Sequence, residues 1–279
     1  AVPALPVAGS FRSIDFALSS MSNSHIQTVA VLTQYNARSL NEHLSSSKWW
    51  NFGRKQGGLF LFTPTVTADN SDWYRGTADA MYQNIDFLKR RHEPYVIISS
   101  GDCVYKLDFN RVLDFHIEKK SDITVVCKDM MYNDDVSRFG VVRMDDESRI
   151  TEFDEKPIEA SSNTISTGIY VIRRRQLIEL LEAAAEENRF DFVNDILVRY
   201  KNVKKIYGYK INSYWNNIAD IDAYFKTNMD FLRPDVRSYF FREEPTICSK
   251  VDDLPPAKFN PGSDISNLSL IHISEPTRH

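Results

Sequence analysis

Short apolar runs rich in β-formers alternate with stretches of helical period through most of this sequence, and that alternation constrains the fold more than any other feature. "TVAVLT" (28–33), "GLFLF" (58–62), "YVIIS" (95–99), "DITVVC" (122–127), "STGIYVI" (166–172) and "VKKIYGY" (203–209) all have strand length. Between them lie "SLNEHL" (39–44), a helical face of Ala78, Met81, Tyr82, Ile85 and Leu88, a helix near 110–119, and the strongly amphipathic "RQLIELLEAAAEE" (175–187). "YVIIS" is apolar without alternation, which suits a strand buried on both faces of a helix-covered parallel sheet. The pattern predicts an α/β fold, a three-layer domain with a mostly parallel sheet. "FGVVRMDDESRITEF" (139–153) predicts a hairpin or strand pair, and "DIDAYFKTNMDFL" (220–232) a helix capped by Asp220 with an acidic first turn.

The texture changes past Leu232. Pro234, Pro245, Pro255, Pro256 and Pro261 punctuate a polar stretch, so residues 1–232 read as the domain, 233–264 as a linker, and 265–279 as a non-native tail. The start at Ala1, with no first strand ahead of it, reads as a cut end. A chain of 279 residues with 42% hydrophobic and 26% charged content suffices for one large core. A net charge of -4 offers no basic surface for nucleic acid, and no run approaches the length of a membrane span. Three scattered cysteines and six histidines without metal-like spacing fit a reduced, cytoplasmic setting.

Chemistry concentrates at strand ends. Asp102 follows "YVIIS", where a carboxylate could hold Mg²⁺ beside a phosphate or simply form a turn with Gly101. Gly76 and Thr77 open a helix whose free N–H groups could meet a phosphate, with Tyr74 and Arg75 adding hydrogen bonds and charge. The competing reading is a solvated loop entering an ordinary helix. Lys156, after Glu155 in "EFDEKP", could neutralise a phosphate or lie idle on the surface. Ser166 and Gly168 are small enough to let a bulky ligand approach. Trp215 could pack on an apolar ligand face or belong to the core.

Taken together, "FRSIDFALSS", "VLTQYNARSL", "WYRGTADAMYQN", "GDCVYKLDF", "FGVV", "EFDEKP", "STGIY" and "DIDAYFKTNMDFL" resemble the glucose-1-phosphate adenylyltransferase (ADP-glucose pyrophosphorylase) family, and most closely its poorly catalytic bacterial glycogen-biosynthesis subunit. The resemblance implies a nucleotide-diphospho-sugar transferase (Rossmann-like) domain followed by a left-handed β-helix, which is missing from this sequence. It also implies ADP-glucose synthesis from ATP and glucose 1-phosphate with Mg²⁺ in the active members. By resemblance, Asp102 is the first metal carboxylate and Lys156 contacts the sugar phosphate. Glu155, Ser166 and Trp215 then match sugar-pocket residues, and Gly168, small enough for close approach, is counted with them as substrate-binding. Tyr74, Gly76 and Thr77 belong to the nucleotide–sugar loop, with the neighbouring Arg75 counted as substrate-binding for its charge, and Gln34 lies in a regulatory stretch.

Two departures from the family stand out. The Gly-rich triphosphate loop of active members would lie ahead of Ala1. Their tryptophan–arginine–aspartate run, whose aspartate is the second metal ligand, is here Trp215, Asn216 and Asn217. An amide in place of a carboxylate keeps a carbonyl oxygen but removes a full charge, which argues against firm Mg²⁺ binding. These features predict a regulatory or non-catalytic subunit, a partner of a catalytic adenylyltransferase subunit in a hetero-oligomer, that keeps a pocket for ATP, ADP-glucose or a sugar phosphate. The alternatives are a competent glucose-1-phosphate adenylyltransferase and a related sugar-phosphate nucleotidyltransferase. The stretch "LSLIHISEPTRH" resembles a translated sequencing adapter.

Overall fold

The computed structural model describes residues 2–34, 37–52, 57–64, 73–132, 134–251, 260, 262 and 264. The predicted 265–279 tail and most of the predicted linker past 251 lie outside the described residues. The first half of the chain runs β1 (Pro6–Val7), β2 (Phe11–Arg12), α1 (Ser13–Asn23), β3 (Thr28–Leu32), α2 (Ala37–His43), β4 (Gly58–Phe62), α3 (Thr77–Gln83), α4 (Ile85–Lys89), β5 (Tyr95–Ser99), β6 (Cys103–Tyr105) and α5 (Phe109–Glu118). The second half adds β7 (Ile123–Asp129), β8 (Gly140–Met144), β9 (Ile150–Glu155), β10 (Thr164–Arg173), α6 (Arg174–Glu186), β11 (Ile206–Lys210), β12 (Trp215–Asn217), α7 (Ile221–Asp230) and α8 (Pro234–Phe241). None of the described helices is long and apolar enough to cross a membrane.

The main sheet is mixed rather than mostly parallel. β11 pairs parallel with β7, but β10 runs antiparallel to β5, β7 and β8, and β8 and β9 form the predicted hairpin. β3 and β4 pair parallel in a separate two-stranded sheet. β5, β7 and β11 therefore share one direction, and β10 runs against them. β10 is as apolar as a parallel core strand because it too is covered on both faces, so apolar content could not reveal its direction.

Alternate side chains of β10 serve opposite faces. Tyr170 and Ile172 join Leu177, Leu180 and Leu181 of α6 and Ala78 of α3. Ile165, Ile169 and Val171 join Ala17 of α1 and Phe109 and Val112 of α5. Along α6 the spacing of Leu177, Leu180, Leu181 and Ala184 makes one buried stripe. Each buried leucine stabilises the fold by about 1.5–3 kcal/mol.

Two local patterns differ from expectation. The single helix over 78–88 breaks at Asn84, whose amide donates to the Ala80 carbonyl and to the Tyr74 hydroxyl. The stretch read as linker begins with α8, which opens on Pro234 and buries Val236 and Phe240 against Phe16 and Phe231. Beyond it, the Cys248 carbonyl accepts from the Ser19 hydroxyl and the Trp50 indole, and Ser249 donates to the fully buried Asp15, which also pairs with His43 at 2.6 Å. Prolines marked the helix start and turns here, but aromatic packing makes the segment part of the body.

Candidate functional site

The site grows from the end of β5. Ser100, Gly101 and Asp102 turn the chain into β6, which pairs antiparallel with β12 so that Asn217 stands opposite Cys103. The Ile218 amide donates to the Asp102 carbonyl at 2.9 Å, locking the two strands at this corner. The Asp102 carboxylate accepts a very short hydrogen bond from the Ser100 hydroxyl and a longer one from the Cys103 thiol. Burial and the Asp102 charge keep that thiol protonated, its pKa held well above the usual range.

A circuit of contacts then links most of the predicted residues. The Ser100 amide donates to the Gly168 carbonyl, and the Gly168 amide to the Ser166 hydroxyl. Gly168 has φ +75°, inside the stretch where the β10–β7 register shifts, and a Cβ there would sit 3.3 Å from Ser100 Cβ. This is a backbone that glycine adopts without strain. Ser166 is buried and shares a hydrogen bond with the Tyr170 hydroxyl, which in turn feels the charge of Glu155.

Glu155 ends β9 with its side chain 18% exposed, and burial raises its pKa, opposed by Lys156 and reinforced by Asp191. Gly140 makes room for it, since a Cβ there would lie 2.9 Å from the carboxylate. Lys156 follows with φ +50°, its Nζ exposed and 3.8 Å from Glu155. Its backbone amide donates to the Phe139 carbonyl, and the Phe139 ring meets Trp215 edge-on at 5.6 Å. Trp215 and Asn217 share β12, which closes the circuit at Asp102. Trp215 is 3% exposed and packs in the core cluster with Cys103, Val126 and Ile165, and its indole N–H has no partner among the described residues.

The loop at 74–77 behaves otherwise. Two of its helix-opening N–H groups are engaged, because the amides of Ala78 and Asp79 both donate to the Phe190 carbonyl. The Thr77 hydroxyl accepts from the Phe192 amide, and Arg75 stacks on the Phe190 ring while pairing with the buried Asp79. Gly76 is required by this approach: a Cβ would fall 2.3 Å from the Phe190 carbonyl oxygen. The phosphate cradle expected at this helix start is therefore filled by the chain's own backbone. Asp191 ties the region to Glu155 electrostatically. Gln34 lies two residues past β3, half-buried, and no described contact joins it to the circuit.

Ser100, Phe139, Tyr170 and Asp191 were not legible as site residues. Phe139 and Tyr170 lie inside "FGVV" and "STGIY" and Ser100 sits between "YVIIS" and "GDCVYKLDF", but none carries a chemical signal of its own, and Asp191 lies in no motif. A separate hollow of about 390 Å³, lined by Arg143, Glu152, Thr164 and Lys210, has its cations already paired with Glu152 and Asp129 and so offers little net charge to a ligand.

The donor set at the corner is a poor match for Mg²⁺. Asp102 supplies a carboxylate, but the Asn217 oxygen accepts from the Ala219 amide at 3.0 Å and its nitrogen faces Cys103. A hard cation wanting near-octahedral oxygens gains one charged ligand here instead of two. Among the described residues there is no group of three His, Cys, Asp or Glu side chains that could hold a metal.

The sheet is mixed, with a carboxylate following β5 and a glutamate–lysine pair at the end of β9, and α/β sheets bind their ligands beyond the carboxyl ends of strands. The profile of the nucleotidyl transferase family matches residues 1–233. The chain is 37% identical to a glucose-1-phosphate adenylyltransferase of Clostridium novyi and 38% identical to one of Clostridium acetobutylicum. Each alignment covers 97% of this chain and 72% of the relative. A Thermotoga maritima glucose-1-phosphate adenylyltransferase is 36% identical over 95% of this chain and 64% of its own length. The chain belongs to the nucleotidyl transferase family, within its glucose-1-phosphate adenylyltransferase branch.

Proposed function

We propose that the intact protein is a poorly catalytic subunit that supports ADP-glucose synthesis from ATP and glucose 1-phosphate, in a cytoplasmic hetero-oligomer with a catalytic adenylyltransferase subunit. One observation carries this reading: the residue beside the Asp102 corner, at the position that the family resemblance makes the second metal ligand, is the neutral Asn217, whose oxygen already accepts from the Ala219 amide. Metal-assisted nucleotidyl transfer relies on charge neutralisation at phosphate oxygens, and a neutral amide contributes little of it. The sugar end supports retained binding, since Lys156 pairs with Glu155, Gly168 donates to Ser166, and the Glu155 charge is felt at the Tyr170 hydroxyl that bonds Ser166.

The test is turnover of the full-length protein with ATP, glucose 1-phosphate and Mg²⁺, alone and mixed with a catalytic subunit. The expected result is little product alone and an altered substrate response in the mixture. Robust turnover by the protein alone would overturn the reading. It would favour the second one, a competent glucose-1-phosphate adenylyltransferase, which draws on the names of relatives at 36–38% identity.

A further inference from the structure

Arg138 lies in the loop between β7 and β8, directly before Phe139, whose carbonyl holds Lys156 and whose ring abuts Trp215. Its guanidinium forms an ion pair with Asp220, three residues past Asn217, and lies 5.3 Å from the Phe139 ring centre. The loop below it is pinned by buried Val136, whose carbonyl accepts from the Phe139 amide. Asp220 is doubly engaged: one carboxylate oxygen caps α7 through the Ala223 amide, and the other meets Arg138.

We infer that Arg138 is a phosphate-binding side chain at the mouth of this site, masked by Asp220, and that a phosphate-monoester dianion displaces the Asp220 carboxylate to reach it. This rests on the proposed sugar-phosphate pocket. Three features support the exchange. Both partners are only partly buried, 39% and 38% exposed, so their mutual attraction is weak and solvated. A guanidinium presents paired donors that match a phosphate dianion at least as well as a carboxylate. Asp220 loses little by release, because its capping oxygen stays on Ala223. The clasp also joins the loop that positions Lys156 to the rim carrying Asn217, so opening it would make the two sides of the mouth independent.

The experiment is calorimetric titration of the full-length protein with glucose 1-phosphate, in a cycle of Asp220→Asn, Arg138→Gln and the double variant. Asparagine keeps the cap, and thermal melts check each fold; Asp220→Ser, another capping residue, replaces any Asn variant that fails to fold. Freeing Arg138 by Asp220→Asn is expected to tighten binding about fivefold, with the gain abolished in the Arg138→Gln background. Unchanged affinity in Asp220→Asn, or an equal gain without Arg138, overturns the clasp while leaving the pocket intact. Failure of the wild type and Asp220→Asn alike to bind overturns both the clasp and the pocket on which it rests.

Discussion

The β9–β10 end of the contact circuit and the β6–β12 corner treat charge in opposite ways. At the first, a half-sheltered carboxylate, Glu155, has its pKa raised by burial and stands beside an exposed lysine that a phosphate could recruit. At the second, Asp102 is supported by Ser100, but its neighbour Asn217 is neutral and satisfied within its own turn. The glutamate–lysine pair and the Asp102–Asn217 pair thus sit at the ends of different strands. The first depends on backbone placement of several small residues, and the second turns on one oxygen replaced by nitrogen. A chain can lose the second without disturbing the first.

The sharpest way to break this contrast is to restore the charge. Asn217→Asp in the full-length protein is expected to raise nucleotidyl transfer by about 10²-fold, equivalent to roughly 3 kcal/mol of added charge stabilisation. Its affinity for glucose 1-phosphate should stay within about twofold, because Lys156 follows a different strand, β9. Steady-state rates and calorimetry on the same preparation separate the two effects. A change in sugar-phosphate affinity as large as the change in rate would mean that the two ends act as one unit.

The converse substitution acts at the other end. Lys156→Gln removes a charge-assisted contact and should weaken glucose 1-phosphate binding about tenfold or more. Its Nζ is exposed, so the urea midpoint should hardly move. Loss of stability together with loss of affinity would show that Lys156 is structural.

Gly168→Ala probes the seam between the ends. At φ +75° an alanine is strained by about 1–2 kcal/mol, and its Cβ would also press on Ser100. Denaturant titration should report that loss. Because Gly168 contacts both Ser100 and Ser166, this variant is expected to weaken ligand binding and disturb the Asp102 corner together.

Sequence patterning located "GLFLF" and "YVIIS" to the residue and placed the Asp220 cap, since apolar runs and capping side chains are local signals. It missed the direction of β10 and the packing of α8, because both depend on partners distant in the chain: β5, β7 and β8 for the strand, Phe16 and Phe231 for the helix. In the site, the motifs marked Asp102, Glu155, Lys156 and Asn217 as individuals. That Gly76 answers to the Phe190 carbonyl, and that this carbonyl consumes the helix-start amides, could not be read from a segment that shows only a glycine before a helix. Such amides look free until the packed chain supplies an acceptor from far along the sequence.

The smallest expected effect tests the sugar end by its charge cost. Burial raises the Glu155 pKa, so the folded state binds the proton more tightly than the unfolded chain. For a group shifted this way, the stabilising contribution is complete below its ordinary value near 4.5 and is lost as pH rises through the folded value. Glu155→Gln mimics the protonated form. It should therefore match the wild type in urea midpoint near pH 4 and exceed it at pH 7, by less than about 1 kcal/mol because Lys156 offsets part of the cost. Retaining a carboxylate that costs stability at neutral pH makes sense if it hydrogen-bonds a ligand, so the same variant should lose affinity for glucose 1-phosphate. A variant less stable at pH 7 than the wild type would mean that the Lys156 pairing outweighs burial, and the contrast between the two ends would then rest on the Asp102–Asn217 corner alone.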